Sequence, residues 1–335
     1  MNEERILLGH GGGGRLTRDL IAREIVPRFG KGPLEGLPDA ATLPPLAGRP
    51  VFTTDAFVVH PLEFPGGNLG HLAVHGTVND LAVAGARPRW LSLALILEEG
   101  LPLAVLRRVL DAVKSAADEC GVVVATGDTK VVARGQADGM YAISAGLGEA
   151  LPGFELSPSR AREGDVVLAS GTLGDHGMAV MAAREGIDIA GGPVSDTASV
   201  HRLVAALSPH AGQVRFLRDP TRGGAAAVLN EIVEGREVGL RLFEDRLPFS
   251  TGARAIAEAL GLDLLHVASE GRVLAVVAPE VADATLTLWR ALPEGRGAVA
   301  LGQVTRDAGR VLLQTAIGGT RLVDVPQGEL LPRIC

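Results

Sequence analysis

Four aspartates stand at loop edges: Asp55 in "TTDAF", Asp80 in "VNDLA", Asp128 in "TGDTK" and Asp219 in "RDPTRGG". Asp55 and Asp128 lie within or just after apolar, strand-like stretches. Burying a lone carboxylate is costly unless it is paired or holds a metal. Mg²⁺ takes oxygen ligands and usually shares them with substrate phosphates. Each aspartate alone reads as a cap or a solvated turn; several from different segments are what an ATP–Mg²⁺ site needs. Lys130 follows Asp128 by two residues, so it reads either as a point charge for a phosphate or as an exposed lysine at a strand end. Arg218, Thr221, Arg222 and two glycines precede a helix pattern, which favours anions or simply caps the helix. Glu270, in "ASEGRVL", reads alone as a turn residue.

The run "GHGGGG" at 9–14 matches G-x-G-x-x-G through Gly9, Gly11 and Gly14. A dinucleotide fold needs a second parallel strand soon after the helix, and the following residues are rich in Pro and Gly instead. No Lys-Ser/Thr follows the glycines, so the run is not a phosphate loop of that type. It is left as a flexible turn, or as a flap in which Gly11, Gly12 and Gly13 offer backbone N–H groups to phosphates. His71 and His75 are four apart on one presumed helix with no third ligand nearby, so packing or local hydrogen bonding is expected of them.

The elements that must position these groups follow from periodicity. Residues 51–59 and 90–100 read as strands, and 69–86 as a helix of small residues. In 101–121, Leu103, Leu106, Leu110, Val113, Ala117 and Cys120 recur at helical spacing, with Pro102 in the first turn and Gly121 as cap. Cys120 is therefore expected in the core. Residues 151–165 read as a junction. A second unit of strands and helices follows, including helices at 175–186, 200–209, 225–235 and 250–261. The expectation is an α+β protein of two mixed α/β domains, 1–150 (with a flexible start over 1–50) and 151–323, plus a flexible tail, 324–335, that carries Cys335.

The net charge of −7 argues against a nucleic-acid partner, and 3% aromatic residues against base stacking. No run approaches the roughly 18 apolar residues of a membrane span, and the acidic "MNEER" start is unlike a signal peptide. A cytoplasmic, reducing setting is expected.

The segments "TTDAFVVHPLEFPGGNLGHLAVHGTVNDLAVAGARPRWL", "ILEEGLP", "TGDTKVV", "SGTLGDHG", "RDPTRGG" and a final "PRIC" resemble, in this order, the HypE family of hydrogenase maturation proteins, the carbamoyl dehydratases. The resemblance runs from Gly9 to Cys335. The superfamily includes aminoimidazole ribonucleotide synthetase and selenophosphate synthetase, and it implies two domains of the aminoimidazole ribonucleotide synthetase type. It also implies an ATP- and Mg²⁺-dependent homodimer with its nucleotide site between N-terminal domains. By motif, Asp55, Asp80 and Asp128 would be Mg²⁺ carboxylates and Asp219 a further one; Asn79, Thr129 and Lys130 would contact phosphates. The terminal Cys335 would be loaded by a partner carbamoyltransferase and its carbamoyl group dehydrated with ATP to a thiocyanate. The cyano group would then pass to iron on a scaffold complex, for a [NiFe] hydrogenase. Two positions depart from the family pattern: His75 where Cys is expected, and Ser269 where Asn is expected. Selenophosphate synthetase expects a reactive Cys or selenocysteine near the N-terminus, and residues 1–119 contain none. A non-catalytic carrier is the alternative from another class.

Dehydrating a thiocarbamate needs cations on the transferring phosphoryl group and a base for the N–H protons. Lys130 and Arg222 are candidates for the first, Glu270 for the second, and His10 is a weaker candidate base. An extended chain from Val325 to Cys335 reaches roughly 33–36 Å, enough to leave the body and return. Tethering raises the local concentration of the substrate. Pro326 and Pro332 are expected to limit the tail's conformations and Gly328 to bend it. The terminal carboxylate is expected to disfavour the Cys335 thiolate, with Arg333 offsetting part of that.

Overall fold

The computed structural model describes residues 4–325, 328 and 331–335. The first sheet is built from β1 (Pro50–Phe57), β2 (Ala86–Glu98), β3 (Val123–Val132) and β4 (Met140–Ala150), in the order β1-β4-β2-β3. Neighbours run antiparallel except the parallel pair β2–β3. Helices α1 (Leu69–Val83) and α2 (Leu103–Cys120) cover one face.

The sequence of α2 explains its place. Leu106, Val109, Leu110, Val113, Ala117 and Cys120 form its buried stripe, and Gly121 ends it in the left-handed region at φ +65°. α1 is buried nearly all round, as its small residues allow. A Cβ at Gly70 would stand 2.2 Å from the Val109 carbonyl oxygen, so the two helices touch backbone to backbone there. Asn68 caps α1, its Oδ1 accepting from the backbone N–H of Gly70 (2.9 Å) and His71 (3.3 Å).

The second sheet has seven strands: β5 (Val166–Ala169), β6 (Val214–Arg218), β7 (Gly239–Phe243), β8 (Leu274–Val277), β9 (Val299–Thr305), β10 (Val311–Gln314) and β11 (Thr320–Leu322). Their order is β11-β10-β7-β9-β5-β8-β6, and only β10–β7 is parallel. Its helices are α3 (Asp175–Glu185), α4 (His201–Ala206), α5 (Gly224–Val233), α6 (Thr251–Leu260) and α7 (Ala282–Arg290). Ser250 caps α6 by accepting from Ala253 N–H at 3.1 Å. The end of α1 packs into this half: Ala82 and Val83 share a core with Leu203, Val273 and Trp289.

β6, β7 and α7 are additions to the sequence reading. β6 and β7 are only five residues each, and arginines interrupt both ("VRFLR", "GLRLF"). α7 carries two threonines, which blur a helical pattern, yet its Trp289 is fully buried with Nε1 donating to the Leu203 carbonyl (3.1 Å).

The expected tail falls partly outside the described residues, Pro326 included. Gly328 has φ +89°, a left-handed bend. Leu331 to Cys335 fold back onto the protein, where Ile334 is buried in the core of the first sheet and Leu331 packs beside it.

Candidate functional site

Three of the four aspartates converge. Asp55 projects from β1 toward α1, Asp80 lies in the last turn of α1, and Asp219 follows β6. Thr53 Oγ1 donates to Asp80 Oδ2 at 2.8 Å, and Asp55 Oδ1 accepts from Ala56 N–H at 2.8 Å. A groove of about 940 Å³ runs between the two halves, lined by Arg49, Thr53, Asp80, Arg218, Asp219 and Thr221 among others.

Crowding of like charges is the electrostatic signature here. Burial pushes Asp55 and Asp80 up from the ordinary carboxylate range. Asp219 is pushed up to about 7, first by burial and then by the charge of Asp80. Glu270 is raised well above its usual value by burial, then by Asp219, Asp196 and Asp55. Such carboxylates ionise readily only when a cation joins them. Hard oxygen donors on a groove with Arg49 and Arg218 fit a polyphosphate bound with Mg²⁺.

Asp128 does not join them. Asp55 pairs with Ser144 of β4, whose hydroxyl donates to the Ala73 carbonyl of α1 (3.1 Å), so that row faces the helices. Asp128 pairs with Ala94, and Ala94 with Ile143, so its row faces the opposite side of the sheet. β1 and β3 are also the two edge strands, about 14 Å apart at ordinary strand spacing. Asp128 is exposed, 3.6 Å from Lys130, and Thr129 N–H donates to its Oδ1. The glycine turn lies along the same edge strand, β3: a Cβ at Gly11 would stand 2.7 Å from Val131 N. Gly12 and Gly13 are exposed beside it, and His10 Nδ1 accepts from Leu7 N–H (2.9 Å). Among the described residues, no three His, Cys, Asp or Glu side chains of one chain are grouped so as to hold a metal.

Cys335 reaches the convergent group. Its thiol sits beside the Glu270 carboxyl, with Asp55 and Arg222 close enough to act on it electrostatically. The residue keeps partial solvent access, while protein surrounds the thiol itself. Burial, then the Glu270 charge, pushes that thiol well above its usual value. Glu270 is 2% exposed, and its Oε1 has no hydrogen-bond partner.

Asn79 faces inward rather than toward the groove. Its Nδ2 donates to the carbonyls of Ala198 (3.0 Å) and Glu270 (3.1 Å), and its Oδ1 accepts from Val200 N–H (2.8 Å). Asp196, which the sequence reading did not single out, accepts from Glu270 N–H at 3.1 Å and pairs with Arg272 at 3.3 Å. A Cβ at Gly271 would sit 1.8 Å from the Asp196 carbonyl oxygen, so only glycine follows Glu270 there. His176, also not singled out, binds the tail through Ile334. The visible signal for both was a polar residue amid small and apolar neighbours. The departures His75 and Ser269 are buried and structural: His75 Nδ1 lies 3.2 Å from Thr197 Oγ1, and Ser269 Oγ accepts from Gly174 N–H (2.8 Å). Cys120 is in the core, its thiol pushed up to about 11 by burial.

Comparison with known proteins agrees with this architecture. Residues 38–150 match the family described as AIR synthase related protein, N-terminal domain, and 162–313 its C-terminal domain. The carbamoyl dehydratase HypE of Bradyrhizobium diazoefficiens is 49% identical over 98% of this chain and 95% of its own. A crystal structure of the hydrogenase maturation protein HypE in complex with ATP superposes with a TM-score of 0.94, at 42% identity over 98% of this chain and 99% of that one. A chain of a HypE–HypF complex superposes at 0.81, with 39% identity over 93% of this chain and 100% of that one. The chain belongs to the HypE family of carbamoyl dehydratases.

Proposed function

We propose that this protein uses ATP to dehydrate an S-carbamoyl group on Cys335 to a thiocyanate, the source of a cyano ligand for [NiFe]-hydrogenase iron. The observation that carries this reading is the Cys335 thiol seated at Glu270, beside the groove of Asp80 and Asp219. A carbamoyl group on that sulfur would lie among those same residues.

Expelling the carbonyl oxygen of S–C(=O)–NH₂ requires a better leaving group. The oxygen attacks the γ-phosphorus of ATP, ADP departs, and loss of one N–H proton leaves S–C(OPO₃)=NH. As the second N–H proton leaves, the C–O bond breaks and S–C≡N and phosphate result. Glu270 is the base at the thiol. Asn79 and Asp196 hold its backbone, and Arg222, with Lys130 from a second copy of the chain, supplies positive charge. Asp80 and Asp219, with Asp55 beside them, would hold Mg²⁺, which neutralises phosphate charge.

The active unit is a homodimer. Support comes from the open face of the first sheet, where Ala94, Ile96, Tyr141, Ile143 and Leu147 are half-covered and Phe52 is 70% exposed. Covering that apolar face with a second copy would bring Asp128, Thr129, Lys130 and the Gly11–Gly13 turn of one copy toward the β1 edge of the other. The partners are a carbamoyltransferase that loads Cys335 and an iron-bearing scaffold complex that takes the cyano group. The HypE–HypF complex supports the first. A free thiol carrier suits a cytoplasmic, reducing setting, and no helix among the described residues is long and apolar enough to cross a membrane. The domains are 1–150 and 151–323, with 324–335 as the substrate arm.

The test is carbon-13 spectroscopy of protein loaded with ¹³C-carbamoyl. On adding ATP and Mg²⁺, the carbonyl resonance is replaced by a thiocyanate resonance. ATP consumption with an intact carbamoyl signal would favour the carrier instead.

A further inference from the structure

Three donors hold the last carbonyls of the chain. The Arg333 carbonyl accepts from His60 N–H (3.2 Å) and Arg184 Nη2 (2.7 Å), and the Ile334 carbonyl lies 2.9 Å from His176 Nε2. His176 is fully buried in the first turn of α3, with its ring edge-on to Phe64 at 5.3 Å. Its other nitrogen, Nδ1, lies 2.8 Å from Ser195 Oγ, which also accepts from Thr197 N–H at 3.1 Å.

The tautomer follows from these partners. A carbonyl oxygen only accepts, so Nε2 carries the proton. Nδ1 of the neutral ring then accepts from the Ser195 hydroxyl. Burial pushes His176 down to about 4, so the ring stays neutral through the working pH range.

The held oxygen belongs to the peptide unit that ends at Cys335. A peptide is planar, so fixing that oxygen and the preceding carbonyl fixes two successive planes. Only the torsions of Cys335 itself then remain to aim the sulfur.

We propose that His176 is a positioning residue for the dehydration: its Nε2–H, locked by Ser195, holds the Ile334 carbonyl and thereby sets the Cys335 sulfur at Glu270. This deepens the function proposed above and rests on it. His176 does not touch the reacting atoms. It supplies alignment, where a misplacement of about 1 Å can cost on the order of 100-fold in rate. It also gives the "SGTLGDHG" segment a role in the reaction.

The test combines three measurements on the full-length protein. Nitrogen-15 spectra of histidine-labelled protein should show His176 as the Nε2–H tautomer. The His176→Ala variant, loaded with carbamoyl, should dehydrate about 30–100-fold more slowly at saturating ATP, with KM for ATP unchanged and loading no slower. Its Cys335 should react several-fold faster with iodoacetamide, because the unlatched tail spends more time outside. His176→Gln, which keeps an N–H donor, should recover most of the rate, and Ser195→Ala should lose a few-fold. Wild-type dehydration and alkylation rates in His176→Ala, or an Nδ1–H tautomer, would overturn the latch. Should His176→Ala fail to fold, the tautomer and Ser195→Ala decide. Absence of dehydration in the wild-type protein would instead sink the underlying function and leave the tautomer and alkylation results standing.

Discussion

The Cys335 thiol sits against the Glu270 carboxyl: after burial, the Glu270 charge pushes the thiol up, while the thiol eases ionisation of a Glu270 already raised by burial, Asp219, Asp196 and Asp55. Two acids in contact suit a resting state in which neither needs to be charged. Once the sulfur carries a carbamoyl group, Glu270 loses that thiol as a partner and faces the N–H groups instead.

Glu270→Gln keeps the shape and removes the base. Dehydration of loaded protein should fall by at least about 100-fold while loading proceeds. The Cys335 thiol should also titrate at lower pH, because the Glu270 charge is the second cause of its elevation. The pH dependence of Cys335 alkylation reads this directly.

Asp219 sets a pH dependence of stability. Its value is about 7 in the folded protein against 3.8 ordinarily, so between those values the folded state holds a proton that the unfolded state has released. Stability without ligand should therefore fall as pH rises from about 4 to about 7, and Asp55, Asp80 and Glu270 are shifted the same way. Asp219→Asn should flatten much of that slope, measured by urea unfolding across the range.

The two cysteines should separate cleanly. Cys120→Ala should cost about 1 kcal/mol of stability and leave dehydration intact, since that thiol sits in the α2 core stripe. Cys335→Ala should abolish carbamoyl loading with the melting temperature nearly unchanged. Loading assays and thermal melts on both variants check the pair.

Gly70→Ala should destabilise by about 1–3 kcal/mol or more, because its Cβ would meet the Val109 carbonyl oxygen at 2.2 Å. Thermal unfolding measures the loss, and ATP binding by the folded fraction should persist.

Much of this was legible in the sequence because it is local. The stripe from Leu106 to Cys120 and the turn at Gly121 announce α2, and the two-unit α+β organisation follows from such patterns. Asp55, Asp80 and Asp219 were visible as carboxylates at element ends. Their separation from Asp128 was not, because strand order and face depend on pairings that no local pattern encodes. Asn79 and Asp196 were equally hidden: each acts on the backbone of Glu270 from far along the chain, 191 and 74 residues away. β6 and β7 escaped because arginines break their short apolar runs.

The central claim is that Cys335 carries the group being dehydrated, at the expense of ATP. Its most direct test is mass spectrometry of the Cys335 peptide from carbamoyl-loaded protein, before and after one turnover with ATP and Mg²⁺, with ADP counted in parallel. Loss of one water from that peptide is expected for each ADP formed. A carbamoyl mass unchanged while ADP accumulates would contradict it.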